Sequence, residues 1–448
     1  QYGEGPLRNI FQEPIRDKII PGNLNNNSLE EILSNRKYEK LREKMYTDKI
    51  PKGCSWCLSR EKETGFSQRQ SFMPADAPTF SDNKNTSYNG RLYYDNWYKG
   101  ITVLEIDTSN VCNLTCAGCD SFFSSAWAPI EKSIKETDHN RFYMHRKVYR
   151  NVPISFPMDD ILITNLSQID LTYLERVIFK GGEPFLNSDM LLVLEYLDKL
   201  NILSQTEIGI TTNGTVLNEK IVMLLNQAKK VEIVLSIDGP EEVNSYIRYS
   251  PSNASSTVNL IDFCNQFHSS LVTISMMPTI MVYNVFSLDK LLEWWLFELK
   301  PRYDNANIKT IYPSFHSSHF LRNKSWLTLS TLQPVTINRL IEYYEEKSNN
   351  PKYISLNEKS NIKSHANPFE NLIHVLKNTK YGGDILHDQM VKYTKDMDKI
   401  KGQNVLNVVP ELEQEMVYLT HYKGRVPYKK NPIKIFYSKL RNFFNHRS

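Results

Sequence analysis

From residue 101 onward the chain alternates between two kinds of hydrophobic pattern. Short β-branched runs occur at 101–107, 176–180, 207–212, 231–237, 271–280 and 306–311. Between them, at about 188–200, 216–229, 257–268 and 286–298, apolar residues recur every three or four positions. A short continuous apolar run suits a strand buried in a parallel sheet, and the 3.6-residue repeat suits an amphipathic helix. Strand and helix in alternation imply β/α units. Six units predict an α/β fold, an incomplete (β/α)6 barrel of the TIM type. The interval from 108 to 175 is long enough for an insertion and contains the basic, aromatic stretch HNRFYMHRKVYR at 139–150.

The flanks are different. Residues 1–27 are polar and turn-rich, after which Ser28 and Glu31 have the spacing of a capping box, with Leu29, Ile32 and Leu33 as the apolar face of the helix it starts. The string KGCSWCL follows, with Cys54 and Cys57. Beyond residue 320 the sequence is helical, polar and rich in Asn and Lys. Residues 423–448 carry eight Lys or Arg and no acid, interleaved with Phe436, Tyr437, Phe443 and Phe444. The expected organisation is a cysteine-bearing N-terminal segment (1–99), a barrel (100–320) and a mainly helical C-terminal extension with a basic tail (321–448).

Bulk composition narrows the class. With 448 residues and 40% hydrophobic content, the chain has material for a large core. Its 54 basic and 50 acidic residues leave a net charge of +4, too even to suggest nucleic acid as a partner of the whole chain. No apolar run approaches the roughly 20 residues of a transmembrane helix. The N-terminus lacks a basic-then-apolar signal pattern, so a cytoplasmic location is expected. Six cysteines do not make a disulfide framework in so long a chain, and their clustering favours metal in a reducing compartment. The chain opens on Gln1 rather than Met, which implies processing or a missing upstream piece.

The sharpest chemistry is CNLTCAGC, in which Cys112, Cys116 and Cys119 follow the first strand run with the spacing C-x3-C-x2-C. Thiolates are soft ligands that favour iron–sulfur clusters, Zn or Cu(I). Ordinary electron-transfer clusters have four protein ligands, so a cubane held by three leaves one iron open to a substrate or cofactor. In parallel barrels the active site lies at the carboxyl ends of the strands. The second strand run ends in Gly181-Gly182-Glu183-Pro184, the third in Thr211-Thr212-Asn213-Gly214, and the fourth in Ser236-Ile237-Asp238-Gly239, with Arg248 close behind. Adjacent glycines allow close backbone approach, Glu183 suits an ammonium group, and Arg248 suits a carboxylate. Ammonium, carboxylate and ribose hydroxyls together describe an amino-acid–nucleoside ligand.

CNLTCAGC followed by GGEP, TTNG and SIDG resembles the radical S-adenosylmethionine superfamily over roughly residues 100–300. The resemblance implies a partial (β/α)6 barrel with a [4Fe–4S] cluster on Cys112, Cys116 and Cys119. It also implies S-adenosylmethionine bound through its amine and carboxylate to the open iron. Reductive cleavage would then give a 5′-deoxyadenosyl radical that abstracts a substrate hydrogen. By the same resemblance Gly181, Gly182, Glu183 and Pro184 lie at the methionyl amine. Thr212, Asn213, Ser236 and Asp238 lie along the nucleoside and methionyl part, Arg248 at the carboxylate, and Thr279 to Val282 near the adenine. Reduced flavodoxin or ferredoxin is the expected electron donor. Many members have an aromatic residue just before the third cysteine. This chain has Gly118 there, which leaves Phe122 or Phe123 to cover the adenine.

The run from SLEEILSN to KGCSWCLSREKETGFSQRQSF, with SSAW (124–127) and MDKIKGQNVLNVVPEL (397–412), resembles the subgroup with a twitch-type (SPASM-like) domain before the barrel. That implies an auxiliary [4Fe–4S] cluster with Cys54 and Cys57 among its ligands and the rest upstream of Gln1. Taken alone, a lone C-x2-C is equally a Zn half-site or a pair of inert thiols. Cys264 is another possible ligand of that cluster, but within an apolar helical pattern it reads as a small buried hydrophobe. His316 and His319 read as parts of a polar loop, and the basic tail as a loosely packed end. The expected substrate is a peptide, a protein or a small metabolite. The alternatives are RNA modification, using the tail and 139–150 as contacts, and a non-catalytic iron–sulfur redox sensor or scaffold.

Overall fold

The computed structural model describes residues 101–136, 159–169, 171–250, 271–301, 309–310, 315, 320–321, 324–353 and 367–420, with isolated positions between 27 and 58 and at 267. Six strands form one sheet in sequence order: β1 (Val103–Asp107), β2 (Arg176–Lys180), β3 (Glu207–Thr212), β4 (Lys230–Leu235), β5 (Val272–Met276) and β6 (Lys309–Thr310). Every neighbouring pair is parallel. Parallel neighbours need a crossover between them, and most crossovers here are helical. Helices α1 (Trp127–Glu136) and α2 (Asp159–Leu166) fall between β1 and β2, α3 (Ser188–Lys199) between β2 and β3, α4 (Glu219–Leu225) between β3 and β4, and α5 (Glu241–Ile247) between β4 and β5. After β5 comes α6 (Leu288–Trp294), which runs on into a π turn, Trp295–Leu299. The order and direction of the strands are those of the expected partial (β/α)6 barrel.

The two faces of the sheet differ as the alternation of side chains requires. Val177, Phe179, Ile208, Ile210, Val231, Ile233 and Leu235 are buried in one core with Met190, Val193, Leu194 and Leu197 of α3. The other face carries half-buried polar residues, with Lys180 paired to Glu105 at 2.8 Å and Arg176 bonded to Glu232. A polar, part-exposed inner face is what an open barrel leaves once helices cover the outer one.

The strand boundaries match the sequence expectation to within a few residues, and so do α3, α4 and α6. At the N-terminal flank the capping box forms: the Glu31 N–H donates to Ser28 Oγ at 3.1 Å, and the Ser28 N–H donates to Glu31 Oε2 at 3.0 Å. The helix expected over 257–268, the stretch 139–150, Cys54, Cys57, Cys264, His316, His319 and the tail lie outside the described residues.

Beyond the sheet the expected helical extension forms: α7 (Pro334–Ser348), α8 (Glu370–Asn378), α9 (Asp384–Lys401) and α10 (Val405–Val408). Helix α9 ends at Gly402, whose φ of 64° is left-handed, a conformation that glycine adopts without a Cβ penalty. Its Asp398 accepts a hydrogen bond from the Tyr246 hydroxyl at 2.8 Å and one from the Val405 N–H at 3.0 Å. The extension is thereby joined to the end of α5. No helix among the described residues is long and apolar enough to cross a membrane.

Candidate active site at the strand ends

The cysteine loop leaves β1 and stays tied to the end of β2. Thr108 N–H donates to Lys180 O at 2.8 Å, Gly182 N–H to Ser109 O at 3.0 Å, and Glu183 N–H to Val111 O at 2.9 Å. The two glycines are required by this approach. A Cβ on Gly182 would lie 2.3 Å from Val111 O, and Gly181 sits at φ +126° against Thr108. What the adjacent glycines admit is therefore the backbone of the cysteine loop itself.

Further along, the loop pairs with the chain after α5. Thr115 N–H donates to Tyr249 O at 2.8 Å and Ala117 N–H to Ile247 O at 2.7 Å. Arg248 lies between those two acceptors, and its Nη1 reaches Cys116 Sγ at 3.8 Å. The loop carbonyls are also bonded. Trp127 Nε1–H donates to Cys116 O at 3.1 Å and the Ser124 hydroxyl to Leu114 O at 2.6 Å. SSAW is thus the brace of the cysteine loop.

Cys112, Cys116 and Cys119 are free thiols, Cys116 buried and the others half-buried. Burial, reinforced by Cys116, pushes the Cys112 thiol up to about 12. Cys116 is lowered, chiefly because the Cys119 thiol hydrogen-bonds to it, with further help from Arg248 and Lys401; Cys119 is raised as the donor. Cys116 is therefore the most readily ionised of the three, which suits a metal ligand. Among the described residues no group of three His, Cys, Asp or Glu side chains is arranged to hold a single metal ion. A cubane asks for something different, with one thiolate at each of several corners. By donor chemistry the site fits such a cluster: three soft thiols on one braced loop, with cationic Arg248 beside them.

The other strand-end residues gather round the loop. Glu183 is fully buried and accepts from Thr212 Oγ1 at 2.6 Å, Asn213 N–H at 2.7 Å and Phe185 N–H at 3.2 Å. Burial nevertheless pushes its carboxyl up to about 7, against the lowering effect of those donors. All three donors are protein groups, so Glu183 ties β2 to β3 and caps the turn at Pro184–Leu186. Asn213 Nδ2 donates to Asn113 Oδ1 at 3.0 Å and reaches Cys112 Sγ at 3.8 Å. The half-buried Ser236 donates its N–H to Thr212 O at 2.8 Å. Asp238, 1% exposed, accepts from Thr279 N–H at 2.6 Å and lies 2.8 Å from Arg248 Nε.

Several supporting residues were not foreseen. Asn187 Nδ2 donates to Glu183 O at 2.6 Å, Asp189 Oδ2 accepts from Ser109 N–H at 3.1 Å, and Asn284 Nδ2 donates to Asp238 O at 2.7 Å. Gly118 has a local reason to be small. A Cβ there would meet Leu321 Cδ1 at 3.2 Å and Met281 Cε at 3.7 Å. Leu321 arrives because its N–H donates to Ile280 O at 2.9 Å beyond the end of β5. Phe122 and Phe123 are half-buried and meet edge to face, 4.9 Å between ring centres.

Comparisons with known proteins give one family match and several distant structural similarities. No curated protein matches the chain. Among solved structures, native anSMEcpe with bound AdoMet is 17% identical with a TM-score of 0.33, over 55% of this chain and 61% of that one. Streptococcus suis SuiB bound to precursor peptide SuiA is 15% identical with a TM-score of 0.31, over 72% of this chain and 64% of that one. SuiB bound to S-adenosylmethionine is 16% identical with a TM-score of 0.30, over 73% and 61%. The matches span less than two thirds of these structures' own length. The model of the Radical SAM superfamily matches residues 106–282. That span holds all three cysteines and the ends of β1 to β5, and over it the chain is similar to the Radical SAM superfamily, a family that implies a [4Fe–4S] cluster and S-adenosylmethionine.

Proposed function

We propose that this chain is a radical S-adenosylmethionine enzyme that modifies a peptide, a protein or a small metabolite. The observation that carries the reading is the loop of three free thiols at the carboxyl end of a six-stranded parallel sheet, with Arg248 at Cys116. A [4Fe–4S] cluster bound there would supply the electron that cleaves S-adenosylmethionine, and the resulting 5′-deoxyadenosyl radical would take a substrate hydrogen.

The chain's own part is to bind and orient. Cys112, Cys116 and Cys119 are the proposed cluster ligands. Arg248 supplies the cation for the carboxylate of S-adenosylmethionine, and Asp238 holds that guanidinium in place. Thr212 and Asn213 shape the β3 end beside the cluster, and Ser236 offers a hydroxyl to the nucleoside. Gly181, Gly182, Glu183 and Pro184 present the β2 end to the methionyl amine, with the Glu183 carboxyl given over to holding β3. Met281 and Leu321 fill the space over Gly118 where an aromatic side chain would otherwise stand.

The reading keeps the division into 1–99, 100–320 and 321–448, a cytoplasmic setting, and reduced flavodoxin or ferredoxin as donor. It also keeps an auxiliary [4Fe–4S] cluster with Cys54 and Cys57 among its ligands, the mark of the twitch-type (SPASM-like) subgroup. Anaerobic reconstitution with iron and sulfide tests it. About four irons per chain are expected from one cubane and about eight from two. Reduced protein should convert S-adenosylmethionine to methionine and 5′-deoxyadenosine. Failure of that conversion in an iron-loaded chain would leave the sensor or scaffold reading instead.

A further inference from the structure

Two lysines from beyond the span similar to the Radical SAM superfamily end inside the protein, against the back of the cysteine loop. Lys324 Nζ donates to Ala117 O at 2.8 Å and also to Cys119 O. Lys401 Nζ, at the last residue of α9, donates to Thr115 O at 2.7 Å. Their exposures are only 7% and 9%. Lysine is almost never buried this deeply without a partner, because removing an ammonium from water costs several kcal/mol.

The partners are specific. Both ammonium groups lie over the Trp127 ring, at 4.5 Å and 4.9 Å from its centre. Each has a second ring as well, Tyr393 at 5.4 Å for Lys324 and Tyr249 at 5.3 Å for Lys401. Cation–π contacts of this kind strengthen when desolvated. Trp127 itself donates to Cys116 O, so the carbonyls of residues 115, 116, 117 and 119 are all held by side chains from outside the cysteine loop. Asp120 and Glu131 are the carboxylates that face Lys324, and Asp398 is the one that faces Lys401; the Cys116 and Cys119 thiols face both.

We infer that Lys324 and Lys401 form a cationic clamp through which the C-terminal extension sets the cysteine loop. The clamp fixes the loop carbonyls before any cluster is present. It also places two ammonium groups near the thiols, each held below the ordinary lysine range by burial and Lys401 further by Lys324, and the positive charge they carry favours the more negative, reduced state of a cluster. Both lysines are positioning residues, acting through the loop. The second consequence rests on the cluster reading proposed above, whereas the first does not.

The experiment therefore has two readouts. In the metal-free protein, amide hydrogen exchange over residues 112–119 reports the loop alone. Lys401→Met should speed exchange of the Thr115 and Ala117 amides about tenfold or more, since the loop then loses a hydrogen bond from a charged donor. Lys324→Met, which loses two carbonyl partners, should speed it at least as much. In the iron-loaded protein both Lys→Met variants should have a more negative midpoint potential than the parent, and Lys401→Arg, whose charge is fixed, should exchange like the parent and have a potential no more negative than the parent's.

Unchanged exchange in the Lys→Met variants overturns the clamp. Unchanged potential overturns its electrostatic role. Failure of both Lys→Met chains to fold, with Lys401→Arg folded, also overturns the proposal, because the lysines would then support the whole fold. A parent chain that takes up no iron refutes the cluster reading and leaves the exchange result to stand by itself.

Discussion

Asp238 Oδ2 lies 2.8 Å from Arg248 Nε, and the other end of the same guanidinium reaches Cys116. The side chains are 2% and 10% exposed, so this is a buried ion pair that aims a cation at a thiol. Removing one member of such a pair leaves the other charge uncompensated and costs about 3–5 kcal/mol. Asp238→Asn should destabilise the protein by that order in denaturant unfolding and weaken S-adenosylmethionine binding. A cost under about 1 kcal/mol would mean that water solvates the pair in solution.

Glu183 offers a finer test. One carboxylate oxygen accepts from Thr212 and Phe185, the other from the Asn213 N–H. In Glu183→Gln the new NH2 group must face one of two backbone N–H donors whichever way the amide is turned. A buried donor left without an acceptor costs about 1–3 kcal/mol. The expected outcome is a stability loss of that size in urea unfolding, with no change in oligomeric state. An unchanged midpoint would show that the strand ends are held in some other way.

Gly182→Ala should be worse, because the added methyl would lie 2.3 Å from a backbone oxygen that no side-chain rotation can move. The cysteine loop must then shift away from β2. Iron retained after reconstitution should fall well below the parent, and thermal unfolding should come several degrees lower, as a loss of 1–3 kcal/mol implies about 2–10 °C.

At Gly118 the nearest obstacle is the end of a flexible side chain. Gly118→Ala should therefore be tolerated with a change under about 1 kcal/mol, because Leu321 Cδ1, 3.2 Å from the added methyl, need give by only a few tenths of an ångström. Gly118→Tyr should fold with reduced stability and load less iron, and pairing it with Leu321→Ala should recover part of the loss. Stability of the two single variants and the double variant, read as a double-mutant cycle, gives the coupling directly. Additive losses would show that Leu321 does not occupy that space.

Cys116→Ala removes a proposed cluster ligand from a loop whose position is set by backbone bonds to Ile247 and Tyr249. Circular dichroism and unfolding should stay near the parent, while iron uptake and S-adenosylmethionine cleavage are lost. A variant that keeps full cleavage would remove Cys116 from the ligand set.

The strands and the groups at their ends were legible because both depend on short stretches of sequence. A β-branched run and the small or polar residues after it sit within ten positions of one another. SSAW could be recognised as a pattern, and the structure supplies its physical content through Trp127 and Ser124. Lys324 and Lys401 could not be found this way. On a polar, lysine-rich background each reads as a solvated surface residue, and its acceptors lie 207 and 286 positions away in the chain. Glu183 was legible as a polar group at a strand end, but its partners depend on how β3 is set beside β2.

The ladder that runs from Thr108 to Glu183 bears on how such a protein would live with oxygen. Small zinc domains unfold when their metal is withdrawn, because the metal supplies the folding energy. Here the loop's backbone is spoken for by β2, by the chain after α5 and by Trp127, none of which needs a metal. A centre destroyed by oxidation would leave behind a folded, receptive socket, and repair would amount to refilling it.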